Sequence, residues 1–190
     1  MATTNLPKNF GLVLFPGFQL LDVCGPLDAL NVLSNSHALN LSIIAATLDP
    51  VGTQHFIQDQ QGSKFNQSIV PTHTFNTALQ DLEVLIIPDG LGNRSDKNMK
   101  PVVDYLTKLQ LGGSQNEPAA SGGEERESKR PPGGDLRWVL TVCTGSEILA
   151  RTGALDGKRA TTNKRAFKQV CTTYNNVMFA VMEENTDLDM

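Results

Sequence analysis

Four short runs of this chain are apolar from end to end rather than at every second position: Phe10-Gly-Leu-Val-Leu-Phe15, Leu41-Ser-Ile-Ile-Ala-Ala-Thr47, Val84-Leu-Ile-Ile-Pro88 and Trp138-Val-Leu-Thr-Val142. A strand with one face in water alternates, whereas a strand covered on both faces reads as a continuous hydrophobic run. Helical segments stand between the runs. Gly25–Leu33 places Pro26 at a first helical position and sets Leu27, Leu30 and Leu33 on one face, and Pro101–Leu109 is again opened by proline. Thr77–Gln80 reads as a helical turn. Residues 51–72 read as irregular structure or a β-ribbon, with Ser68–Val70 a short strand. Strands alternating with helices imply an α/β fold, a parallel sheet with helices on both faces.

At 190 residues the chain is long enough to bury one core, and a single domain over 1–190 is expected. Apolar residues at 39% and charged residues at 19% describe an ordinary globular protein. A formal net charge of −4, with no basic stripe, argues against nucleic acid or an anionic membrane as partner. The run at 10–15 is too short for a signal peptide, and no apolar segment is long enough to span a bilayer, so a cytoplasmic setting is expected. Three widely spaced cysteines, Cys24, Cys143 and Cys171, suggest free thiols rather than a disulfide framework. Residues 110–135 hold almost nothing to bury and read as a disordered insertion.

The fourth apolar run ends on Cys143-Thr-Gly, and the helix-forming segment Ser146-Glu-Ile-Leu-Ala150 follows at once. A strand turning sharply into a helix pushes the corner side chain outward and aims the first helical amides at it. Such a position is expected to favour the thiolate, which makes Cys143 the candidate nucleophile. In a parallel sheet the loops after the other strands gather on the same side. Phe15-Pro-Gly-Phe-Gln-Leu-Leu-Asp22 offers Asp22, an acid in apolar surroundings, which either caps the next helix or keeps a proton for Cys143. Pro88-Asp-Gly90 offers Gly90, which is either a plain turn or an N–H free to meet an oxyanion. His37, His55 and His73 lie outside these loops, so no Cys–His dyad is evident. No Cys/His spacing suggests a metal, and no glycine-rich phosphate loop is present. Cys24 reads as a packing residue, and Cys171 has no context that suggests reactivity.

Taken in order, Phe15-Pro-Gly-Phe-Gln-Leu-Leu-Asp-Val-Cys-Gly-Pro26, Leu85-Ile-Ile-Pro-Asp-Gly90, Val142-Cys-Thr-Gly145 and Thr152-Gly-Ala-Leu-Asp-Gly-Lys-Arg-Ala-Thr-Thr162 resemble the ThiJ/PfpI superfamily. This is a class I glutamine amidotransferase-like group, and the likeness is to its isocyanide-hydratase-like branch. The resemblance implies a flavodoxin-like three-layer sandwich with a nucleophile elbow, usually dimeric. It implies Cys143 as nucleophile, Asp22 as the partnering acid, Thr144 as the residue orienting the intermediate, and Gly90 with Gly145 at the oxyanion and substrate position. The implied activity is that of a lyase hydrating an isocyanide to an N-formamide through a thioimidate, acting on a small molecule without metal or organic cofactor. The superfamily also hosts glyoxalase- or deglycase-type enzymes and non-catalytic redox-sensing or regulatory members, and both stand as alternatives. Four departures are visible, the insertion at 110–135, unusual for its place, being one. Asp89 stands where a second glycine is usual, and its carboxylate would oppose thiolate formation. Thr162-Asn163 replaces a Thr-His pair. Residues 178–190 depart from the family's closing strand and helix, and read as an altered or shortened ending.

Overall fold

The computed structural model describes residues 6–78, 81–109, 111 and 136–180. Apart from Leu111, the expected insertion at 110–135 lies outside the described residues, as do positions 79–80 and 181–190. The elements in chain order are β1 (Asn9–Val13), α1 (Leu20–Leu33), β2 (Asn40–Ala45), β3 (Val51–Gly52), α2 (Phe56–Gln60), β4 (Ser68–Ile69), β5 (His73–Thr74) and β6 (Val84–Ile87). After these come a 3₁₀ turn (Leu91–Arg94), α3 (Asp96–Lys108), β7 (Trp138–Thr141), α4 (Gly145–Ala150), β8 (Arg159–Ala160), α5 (Phe167–Thr173) and β9 (Met178–Phe179).

Five strands form one parallel sheet in the order β5-β2-β1-β6-β7. Two short ribbons stand apart from it, β3 with β4 antiparallel and β8 with β9 parallel. The ribbon expected within 51–72 is therefore β3–β4, with α2 between its strands. The sheet flanked by helices is the flavodoxin-like α/β architecture. Its centre is apolar because it is covered on both faces: Leu12, Val13, Leu85, Ile86 and Ile87 are essentially buried on neighbouring strands. In α3 the side chains of Met99, Val102, Tyr105 and Leu106 supply the core-facing stripe, while Lys100 and Asp104 pair across its outer face at 2.9 Å.

The structure corrects the sequence reading in two places. Both long helices begin earlier than their prolines suggest. α1 starts at Leu20 and α3 at Asp96, so Pro26 and Pro101 lie inside them rather than at their first positions. A proline there has no N–H for the carbonyl one turn back, that of Asp22 in α1 and of Lys97 in α3. Packing outweighs that loss, because Val23 in the first turn of α1 is fully buried. The second correction concerns the fourth apolar run. β7 ends the sheet among the described residues, and Trp138 (57% exposed) and Leu140 (48% exposed) face outward. Its apolar character does not mean burial on both faces.

Candidate active site

The sheet order places the chain's reversal between β1 and β6: from β1 the strands run out to β2 and β5, then cross back to β6 and β7. The crevice beyond the carboxyl ends of strands at such a reversal is where open α/β sheets bind ligands. Three loops meet there and are tied through their backbones. Gln19 N–H donates to the Asp89 carbonyl at 2.7 Å, and Gly92 N–H to the Gly17 carbonyl at 3.0 Å. Val142 N–H donates to the Ile87 carbonyl at 3.0 Å, which sets the cysteine corner beside the loop after β6.

Cys143 is at that corner, between β7 and α4, with φ +55°, the one non-glycine residue in the left-handed region among those described. A cysteine there is strained, and the strain persists because the strand before it and the helix after it are both packed. Its half-buried sulfur accepts a hydrogen bond from Asn163 Nδ2 at 3.1 Å. One carboxylate oxygen each of Asp22 and Asp89 lies, with the sulfur, in a group whose atoms are all within 4.8 Å of one another. Asp22 Oδ2 accepts from Asp89 N–H at 3.2 Å. Thr144 is buried, and its hydroxyl donates to the Asp89 carboxylate through a short hydrogen bond. Asn93, also buried, donates from Nδ2 to Thr144 Oγ1 at 3.1 Å and to Asp89 Oδ1 at 3.4 Å.

These contacts reverse one expectation. The corner was expected to favour the thiolate, yet the Cys143 thiol is pushed up to about 11. Burial is the largest cause, followed by the hydrogen bond to Asp89 and that residue's charge. The Asn163 amide and the Thr144 N–H pull the other way and are outweighed. Asp22 behaves as an acid in apolar surroundings does. Burial raises its carboxyl, the hydrogen bond from Asp89 N–H opposes the rise, and the charge of Asp89 adds to it.

Gly90 lies at φ +155°, and a Cβ on it would come within 2.3 Å of the Gly17 carbonyl oxygen. Only glycine fits this crossing of two loops. Its N–H donates to no group among the described residues, whereas that of Gly145 is committed to the Val142 carbonyl at 2.8 Å. The Thr144 N–H is likewise engaged, by the Cys143 sulfur, so of these three amides that of Gly90 is the one without an acceptor among the described residues. What Gly145 supplies is room, since a Cβ there would meet the Ile87 carbonyl oxygen at 2.4 Å. Cys24, expected to pack, is exposed, and Cys171 is half-buried on α5.

A cleft of about 760 Å³ opens beside these groups, lined in part by Asp89, Gly90, Thr144 and Asn163. His37, His55 and His73 do not line it. The Asp22–Asp89–Cys143 group is close enough to share a cation. Its carboxylate oxygens, however, already accept from Asp89 N–H, Thr144 and Asn93, so the arrangement is better suited to sharing protons. Asn93 was missed because nothing local marks it. Asp89 and Asn163 were visible only as departures from a pattern.

No family model matches the chain. The isonitrile hydratase of Pseudomonas putida is 28% identical over 155 residues, covering 82% of this chain and 52% of that protein. The chain thus spans about half the length of the curated relative it matches. A ThiJ/PfpI family protein from Pseudomonas syringae superposes with a TM-score of 0.55 at 24% identity, over 83% of this chain and 50% of that one. Drosophila melanogaster DJ-1beta gives 0.59 at 17% identity, over 94% and 76%. An AraC family transcriptional regulator from Pseudomonas putida gives 0.63 at 13% identity, over 93% and 77%. These structural likenesses carry the fold, and the hydratase adds a likeness in sequence, so the chain is similar to ThiJ/PfpI proteins in both respects.

Proposed function

We propose that this protein is a cysteine-dependent lyase that hydrates an isocyanide to an N-formamide. The carrying observation is a corner cysteine with two carboxyl groups in its immediate reach, one of which, Asp89, lines an open cleft together with Thr144 and Asn163. Likeness to a protein named isonitrile hydratase, the same functional group under its other name, supports the choice of substrate. An isocyanide carbon must gain both sulfur and hydrogen, and two carboxyl groups meet that need. Cys143 Sγ bonds to the carbon as its proton passes to Asp89, and Asp22 delivers a proton to the same carbon, leaving a neutral thioimidate. Asp22, now ionised, takes a proton from water as the water oxygen adds. Asp22 passes that proton to nitrogen and takes up the remaining hydroxyl proton, which leaves an oxyanion. As the carbonyl forms, the C–S bond breaks, Asp89 returns its proton to sulfur, and the formamide leaves with both acids restored. The Gly90 N–H, which donates to no group among the described residues, would stabilise the anionic oxygen formed on the way, and the Thr144 N–H would join it by turning from the sulfur.

The test is formamide production from a small isocyanide by the wild-type chain and by Cys143→Ala. Equal rates in the two would end the proposal. A non-catalytic regulator is the second reading, favoured by the protonated thiol, which is a poor nucleophile near neutrality. Turnover of neither an isocyanide nor methylglyoxal, with stoichiometric oxidation of Cys143 by peroxide, would select it. Methylglyoxal turnover alone would select the glyoxalase type.

A homodimer in the cytoplasm belongs to the same proposal. Leu21 (72% exposed) and Val32 (63% exposed) leave apolar surface on α1, and sedimentation of the chain as a monomer at micromolar concentration would remove the dimer. Among the described residues no helix is long and apolar enough to cross a membrane.

A further inference from the structure

Resting on the reading of Cys143 as nucleophile, we propose that its substrate carries a carboxylate, held by Arg94 and Arg165 in the cleft beside the sulfur. The wall of that cleft is unsuited to an apolar side group. Leu91 and Ala166 are its apolar side chains, while Gln19, Asn93, Arg151, Asn163 and Gln169 line the rest with polar groups. An apolar substituent would strip water from these groups and return no hydrogen bonds, a loss that works against binding.

The charges in the wall point to the sign. Glu147 is paired with Arg151 at 3.1 Å, and the Asp89 carboxylate accepts from Thr144 and Asn93. Arg94 and Arg165 make no ion pair among the described residues. Two guanidiniums with no carboxylate partner among the described residues face one cleft on a chain whose net charge is −4. A planar guanidinium offers paired N–H donors that match a carboxylate, and two of them focus an anionic ligand into a concave site.

Both arginines also sit where such a group would be useful. Arg94 ends the 3₁₀ turn that starts after Gly90, and it follows Asn93, which holds Thr144. Arg165 is two residues from Asn163, whose Nδ2 touches the sulfur and whose Oδ1 accepts Arg165 N–H at 2.9 Å. A substrate anchored by these side chains would present its other end to Cys143.

Two measurements separate this inference from the reading beneath it. The first is independent of catalysis and compares alkylation of Cys143 by iodoacetate and by iodoacetamide, read by peptide mass, with exposed Cys24 as internal reference. The iodoacetate-to-iodoacetamide rate ratio at Cys143 should exceed that at Cys24 by about tenfold, the size expected of a charge-assisted contact. It should shrink at about 0.5 M salt. It should fall to the Cys24 value in the Arg94→Gln/Arg165→Gln double variant and be partly kept in the double lysine variant. A Cys143 ratio no higher than that of Cys24, or one unmoved by the double glutamine variant, overturns the inference. The second compares kcat/KM for isocyanoacetate and for its methyl ester. Preference for the carboxylate supports the inference, and preference for the ester overturns it while the hydratase reading stands. Turnover of neither removes the hydratase reading, and the alkylation ratio then decides the anion site by itself.

Discussion

At the scale of single residues, Asp89 acts on both sides of the proposed chemistry, because after burial it is what most holds Cys143 as a thiol and it is the group proposed to accept the thiol's proton. Replacing it therefore has opposite effects on two measurements. Asp89→Asn should raise the alkylation rate of Cys143 by iodoacetamide at pH 7 about three- to tenfold, as one pKa unit corresponds to tenfold in thiolate. The same variant should lower isocyanide turnover. A rise or a fall in both would separate Asp89 from proton transfer. In the wild type, alkylation of Cys143 should climb continuously from pH 7 towards its value of about 11, well beyond the plateau of a free thiol. The sign for stability follows from linkage. The folded state keeps this proton longer than the unfolded chain, so stability is full below 9.0 and is lost as pH rises from there towards about 11. Asp22 also has a raised carboxyl, so its ionised form weighs against folding as pH climbs through that value. Asp22→Asn should thus cost about 10²- to 10⁴-fold in turnover, the usual share of a general acid. It should leave the melting temperature at pH 7 unchanged or higher, and a large drop would mean that Asp22 is chiefly structural.

At the scale of elements, the site depends on loops that touch backbone to backbone. Gly90→Ala forces a Cβ against the Gly17 carbonyl and the Phe18 backbone, so it should cost about 1–3 kcal/mol in denaturant unfolding. It should also change Cys143 reactivity, although residue 143 is far away in sequence. Strands and helices were legible in the chain because continuous apolar runs and helical spacing are local signals. Helix starts were not. Pro26 and Pro101 mark an ordinary helix opening, yet Leu20, Val23 and Met99 pack upstream of them and carry the helices through. The corner at Cys143 was equally legible, as β-branched residues giving way to Thr-Gly and a helix former force that turn.

At the scale of the whole molecule, burial separates residues that look alike in sequence. Leu85, fully buried on β6, should cost about 2–5 kcal/mol as alanine, whereas Leu140 on the exposed face of β7 should cost well under half of that in the same urea titration. Similar costs would mean that the outer face of β7 is covered in solution. Sequence by itself determined the class of fold, the corner cysteine and the loops that bear Asp22 and Gly90, because periodicity, turn chemistry and apolar runs act within a few residues. Only the tertiary structure decided the protonation of that cysteine and the polarity of the cleft. Burial of the sulfur, the approach of Asp89, the support from Asn93 and Asn163, and the gathering of Arg94 and Arg165 all join residues dozens of positions apart. Such contacts arise only when the chain reverses across the sheet between β1 and β6.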